Sequence, residues 1–364
     1  MKKFFCLIMF VGTLFFSGCQ IPIDNMGEKE GTEVSINTDN PNDSIKKDTI
    51  KEETDKEVNQ DNIDKQVDIK KDTSNTDAKQ ITTVTTYYQD SENTLIPVTR
   101  RIEKQEGIGK AALKCMVDSE ITRKEADAFG MSPVLPKNTE IRGMNIRDGM
   151  VIVDFNEEIL NYEDEKSERN IIAGIVYTLT EFKTVDKVTI LINGKQQGKL
   201  KFGTDISGIL SRDNILINSE KVNLKEKIKK LDVYLFKPVK DNLEYVLPVS
   251  TEYIGVDEND LPKEIVRLFL KKYESLYSQF PPKVELLDSK VEEKVLILNF
   301  NKEIRNYGGT AREEGIIKQI LYSMKQIKGV EKVKILIEGK EAYLPEGTDV
   351  SKEMLLPVEI NNQQ

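Results

Sequence analysis

Residues 151–162 read VIVDFNEEILNY, and residues 296–307, at an offset of 145, read LILNFNKEIRNY. Phe155 returns as Phe300, Asn156 as Asn301, Glu158 as Glu303, Ile159 as Ile304, and Asn161-Tyr162 as Asn306-Tyr307. The offset persists: NIIAGIVYTLTEFKTVDKVTILINGK (170–195) is answered by GIIKQILYSMKQIKGVEKVKILIEGK (315–340). Such a period is too long for a solenoid and about one domain long. The chain is therefore expected to be one compact fold occurring twice, each copy sequentially complete, joined once near residues 215–228.

Outward from the repeat, each copy shows the same series. TTVTTYY (82–88) and LDVYLFK (231–237) are β-rich openings. A loop carrying LIPVTR or VLPVST leads to a helix, IGKAALKCMVDS (108–119) or PKEIVRLFLKKY (262–273), the latter with Pro262 suited to a first turn. TEIRGMNIRDGMVIVDFN (139–156) and VELLDSKVEEKVLILNFN (284–301) read as strand pairs. Arg147-Asp148-Gly149 supplies turn chemistry in the first copy, whereas Val291-Glu292-Glu293 implies a different turn in the second. Ile171, Ile172, Ile175, Val176, Leu179 and Phe182 form one apolar stripe, matched by Ile316, Ile317, Ile320, Leu321, Met324 and Ile327, so this helix covers a sheet. KVTILING (187–194) and KVKILIEG (332–339) close each copy as strands. The order β-α-β-β-α-β, twice, predicts an α+β protein with helices on one face of a small sheet, its copies at 81–215 and 228–358.

The N-terminus has a different character. MKKFFCLIMFVGTLFFSGCQ is a secretory signal, Lys2-Lys3 followed by an apolar run too short for a span of roughly 20 residues. Phe16-Ser17-Gly18-Cys19 looks like a lipobox, with residues 1–18 removed and Cys19 lipidated; an uncleaved anchor or a plain secreted protein are the alternatives. Two acyl chains on Cys19, at roughly 0.8 kcal/mol per buried CH₂, would anchor it to membrane lipid. Cys6 leaves with the signal, so Cys115 is the one free thiol of the mature chain. It lies in the helical AALKCM run, aligned with Leu268 of the second copy, and with no histidine anywhere to activate it is expected to be a small buried hydrophobe. Residues 20–80 carry sixteen acidic and nine basic side chains and no aromatic. The 19–80 segment therefore reads as a disordered acidic tether, a spacer rather than a binder of anionic wall polymers. Residues 81–364 retain a formal charge of −4, no footprint for nucleic acid.

Leu135-Pro136-Lys137-Asn138-Thr139, the run Asp148 to Asp154, Val176-Tyr177-Thr178-Leu179-Thr180, and Val188 to Lys195 together resemble the GerMN-domain family. The resemblance covers 80–215 well and 228–358 more loosely; the second copy has Pro281-Pro282 near the position of Leu135-Pro136 and lacks the Asp-Gly turn. It implies a fold related to the ring-building motif of sporulation secretion-channel proteins. It also implies a lipoprotein of sporulation and germination that helps assemble the channel between mother cell and forespore, whose other proteins would be its partners.

Chemistry is hard to find. Gly107-Ile108-Gly109-Lys110 lacks Walker spacing, and Ala111 stands where a hydroxyl belongs, so it reads as helix entry. Asp154, Asn156, Glu157 and Glu158 suggest a carboxylate cluster, yet Asp154 becomes Asn299 and Glu157 becomes Lys302. The repeated pairs Asn156/Asn301 and Tyr162/Tyr307 are expected to fix the strand-to-helix loop by hydrogen bonds. Gly203-Thr204-Asp205 and Gly347-Thr348-Asp349 recur as turns or caps, with a ligand site as the sharper alternative. The expectation is a non-enzymatic interaction module on the outer face of the membrane, with no cofactor, metal or small-molecule substrate. The alternatives are a transporter's solute-binding lipoprotein and a cell-wall binder or hydrolase of germination.

Overall fold

The computed structural model describes residues 80–219, 228–240, 243–254 and 258–362, all within one compact unit, 74–364. The signal, Cys19 and the tether up to residue 79 lie outside the described residues.

In the first copy β1 (Ile81–Gln89), β2 (Leu95–Glu103), α1 (Ile108–Lys114) and α2 (Glu120–Asp127) precede β3 (Ile141–Arg147) and β4 (Met150–Phe155). Then come α3 (Glu165–Leu179), β5 (Lys187–Ile192) and β6 (Lys195–Gln196). The second copy contains β7 (Ile228–Pro238), β8 (Glu244–Ile254), α4 (Leu261–Phe269), β9 (Leu286–Glu292), β10 (Val295–Phe300), α5 (Thr310–Met324), β11 (Lys332–Ile337) and β12 (Met354–Leu355). Each copy builds a four-stranded sheet in chain order, β3-β4-β5-β6 or β9-β10-β11-β12. The central pairs β4–β5 and β10–β11 are parallel, which the intervening helix crossover permits, and the flanking pairs are antiparallel. The α+β class and the duplication stand.

The opening of each copy differs from expectation. LIPVTR and VLPVST are strands, not loops: β1–β2 and β7–β8 are antiparallel hairpins, each a two-stranded sheet of its own. Pro97 and Pro248 argue locally against a strand. What overrides them is burial on both faces. Tyr87 and Leu95 join the first core, while Tyr88, Ile96 and Val98 join the second.

α3 is consequently enclosed rather than half-exposed. Every residue from Asn170 to Leu179 is buried, with β1 and β5 both packed against it. α1 stops at Lys114 instead of Ser119, because Val117 leaves the helix to bridge Leu135. α4 likewise stops at Phe269, short of Tyr273. α2 is unanticipated; its signal was Ser119 and Thr122, which form a reciprocal capping box.

The two hairpin turns within the sheets prove equivalent. Asp148 and Gly149 both take positive φ (50° and 77°), as a two-residue turn of the primed type requires. At the same offset Glu293 and Lys294 do likewise (47° and 68°), so the second copy makes the same turn with less suitable residues.

Among the described residues there are two large cores. Phe155, Ile171, Ile175, Val188 and Ile190 belong to the first; Phe300, Ile316, Ile320, Val333 and Ile335 belong to the second. The second continues into the first copy through Tyr88, Ile96, Val98, Ala126 and Met131. The copies are thus not self-contained: one hairpin serves two cores.

Candidate functional site

The polar residues repeated between copies converge on one device per domain. Tyr162 Oη donates to Glu168 Oε2 (2.8 Å), and Tyr307 Oη donates to Glu313 Oε2 (2.7 Å). Both carboxylates are buried in the first turns of α3 and α5. Glu168 also accepts from Phe202 N (2.8 Å) and Thr204 N (2.9 Å), and Glu313 accepts from Glu346 N (2.8 Å) and Thr348 N (3.0 Å). Burial pushes each carboxyl up, but these donors outweigh it and leave both below the ordinary carboxylate value. The recurrent Gly-Thr-Asp loops therefore close over the chain's own glutamates. Asp205 and Asp349 complete those loops by accepting from Ser207 and Ser351 two residues on.

The other sequence candidates do not gather. Asn156 fastens β4 to the segment before β3, accepting from Glu140 N (2.9 Å) and donating to Asn138 O (2.9 Å). Asn301 repeats this with Glu285 and Lys283. These asparagines hold a strand entry rather than the strand-to-helix loop. Asp154 accepts from Gly194 N (2.8 Å) and Asn299 from Gly339 N (2.7 Å), so an acceptor oxygen, not a charge, is what the position needs. Glu157 is exposed on the following turn. Gly107, with φ 72°, opens α1 as helix entry, and a Cβ on Gly109 would meet Met144 Sδ at 3.0 Å. Cys115 is half-buried; burial pushes its thiol up, and Sγ lies 3.4 Å from Ala111 O.

The joint between the domains is the most elaborated polar surface, and sequence reasoning missed it. After the first domain, Asn218 accepts from Leu95 N (2.7 Å) and donates to Leu95 O (2.8 Å) and Pro248 O (2.9 Å). After the second, Asn361 accepts from Val246 N (3.1 Å) and donates to Val246 O (2.7 Å) and Pro97 O (2.8 Å). Each asparagine thus forms a rung between β2 and β8. The residue before each rung binds the other domain's hairpin: Ile217 pairs with Ser250 and Ile360 with Thr99 through backbone and hydroxyl. Leu95-Ile96-Pro97 and Val246-Leu247-Pro248 occupy equivalent places, so the joint is a reciprocal exchange like that of a two-fold dimer. It also corrects the expected single crossing, because the C-terminal segment returns to the first domain.

Charged groups reinforce the joint. Asp232 accepts from Tyr177 Oη (2.6 Å), Lys230 Nζ (2.7 Å) and Ser250 Oγ (2.8 Å). Glu181 binds Arg212 (2.5 Å) and Lys325 of the second domain (3.3 Å). Burial pushes the Glu181 carboxyl up, but these cations bring it down to about 2. A 260 Å³ cleft nearby is lined by Glu92, Lys166, Arg169 and Glu274, among others. Lys166 is already bound to Glu92 O (2.6 Å) and Arg169 to Glu165 (2.6 Å). A 650 Å³ depression beside α2 mixes Asp118, Glu120, Arg123 and Lys124. Both are lined mainly by charged and polar residues.

Two small α+β domains, each with its glutamate-locked loop, joined by exchanged tails, define a tandem scaffold. The chain belongs to the Germane family, described as "Sporulation and spore germination", which matches residues 85–198 and 232–343. It is similar to the spore germination protein GerM of Bacillus subtilis (strain 168), with 28% identity over 305 residues, covering 80% of this chain and 82% of that protein. Among solved structures it is similar to the tandem GerMN domains of the sporulation protein GerM from Bacillus subtilis. That match has a TM-score of 0.68 at 25% identity and covers 77% of this chain and 99% of that one.

Proposed function

We propose that this protein works in sporulation and germination as a membrane-anchored, non-enzymatic assembly module. Diacylated Cys19 holds it to the outer face of the cytoplasmic membrane, in the space between mother cell and forespore. Its partners are proteins of the secretion channel joining the two cells. Among the described residues no helix is long and apolar enough to cross a membrane, and the lipobox-like Phe16 to Cys19 supports an anchor at Cys19. One observation carries the reading. Both domains match a sporulation family, and the polar residues repeated between them, Asn156/Asn301, Tyr162/Tyr307 and Glu168/Glu313, are engaged with the protein's own loops. Side chains spent on internal geometry suit a scaffold better than a catalyst.

Deleting the gene is expected to stall spore development and leave the channel unassembled. Cys19→Ala should release the protein from membranes and abolish incorporation of a clickable palmitate analogue. Normal sporulation of the deletion strain overturns the role, and membrane retention of Cys19→Ala overturns the anchor.

A further inference from the structure

Within the reciprocal joint one buried pair breaks the symmetry. Gln89 bridges Ser132 as Phe236 bridges Tyr277, which makes the next residues, Asp90 and Lys237, counterparts in the two domains. Counterparts facing each other across a two-fold arrangement are ordinarily alike. Here they are opposite in charge and paired, with Lys237 Nζ 2.6 Å from Asp90 Oδ2, and with side chains only 4% and 3% exposed. Lys237 Nζ also reaches Thr94 Oγ1 (2.6 Å) and the exposed Glu92 carboxylate (2.8 Å), both from the first domain.

We propose that Asp90 and Lys237 are the specificity determinants that restrict this self-complementary joint to unlike domains. Two first domains meeting through the same contacts would set Asp90 against Asp90. Two second domains would set Lys237 against Lys237. Either arrangement buries like charges without a counter-charge, a cost that hydrogen bonding elsewhere in the joint does not offset. The chain thereby closes on itself. When two chains do pair, each contributes its first domain to the second domain of the other. This inference is independent of the role proposed in sporulation.

The test uses full chains. Asp90→Lys gives a chain with lysine on both sides of its joint, and Lys237→Asp gives one with carboxylates on both sides. Only contacts between the two variants are complementary. Refolded together in equal amounts, they are expected to form a 1:1 dimer of twice the monomer mass, read by light scattering. The double variant Asp90→Lys/Lys237→Asp, matched within one chain, remains a monomer. Asp90 Oδ1 also accepts from Glu92 N and Thr94 N (2.9 Å each), and lysine loses both bonds, but that cost is common to the mixture and the double variant. A mixture that stays monomeric overturns the proposal, as does dimerisation by either single variant alone to the same extent. Should a single variant not fold alone, co-refolding still decides: a soluble 1:1 dimer supports the assignment and its absence refutes it.

Discussion

Glu168 shows how a single buried side chain can account for several features of the sequence. Its carboxylate ties Tyr162, the start of α3 and the loop at 202–204 into one unit, and Glu313 does the same for Tyr307 and 346–348. The tyrosines were legible as repeats, but their partners were not. Glutamate in a helix's first turn is common as a solvated charge near the N-terminal dipole, so nothing local marks it as buried. The informative signal was that Glu168 and Glu313 also stand 145 residues apart. Glu168→Gln keeps the volume but turns an NH₂ toward a donor, and is expected to cost about 1–3 kcal/mol in chemical denaturation. Because Glu168, Glu313 and Glu181 have depressed folded-state pKa values, their stabilisation is fully present above the ordinary carboxylate value of 4.5. It is lost as pH falls from there toward about 2, the Glu181 value. Acid unfolding followed by circular dichroism should therefore shift to a different pH in Glu168→Gln and Glu181→Gln; unchanged acid midpoints would show that these carboxylates are not linked to folding.

Among elements, the central helices were readable from their helical spacing, and the sheet strands from β-rich apolar runs and, in the first copy, the Asp-Gly turn. The hairpins were readable only in their first strands, since Pro97 and Pro248 disguised β2 and β8 as loops and burial on both faces left no alternation to identify them. The tight turns teach a related lesson. Asp-Gly announces its conformation, whereas Glu293-Lys294 adopts the same left-handed backbone because β9 and β10 on either side impose it. A non-glycine residue there costs roughly 1 kcal/mol. Lys294→Gly is accordingly expected to stabilise the protein by about 0.5–1 kcal/mol, since the ion pair it removes with Glu331 is exposed and of little worth. Gly149→Ala should destabilise by a similar or larger amount, because its φ is 77° and the added Cβ meets Asp186 Oδ2 at 3.2 Å. Urea midpoints for the two variants moving in the same direction would contradict this account of the turn.

At the scale of the whole molecule, tandem duplication invites a picture of two beads on a string, and the joint replaces it with one body. Ile217-Asn218 and Ile360-Asn361 occupy corresponding positions after each domain, yet two such short tails carry no periodicity from which to infer docking. Only the fold brings them between β2 and β8. The shared second core adds apolar area to that joint, so opening it would expose Ile96, Val98 and Met131 as well as break the rungs. The domains should therefore unfold together. Differential scanning calorimetry of the wild-type chain and of the Asn218→Ala/Asn361→Ala variant tests this most directly. The expected result is a single wild-type transition, with calorimetric and van't Hoff enthalpies equal, that splits into two in the variant. Two separate transitions already present in the wild type, and unmoved by the substitutions, would contradict it.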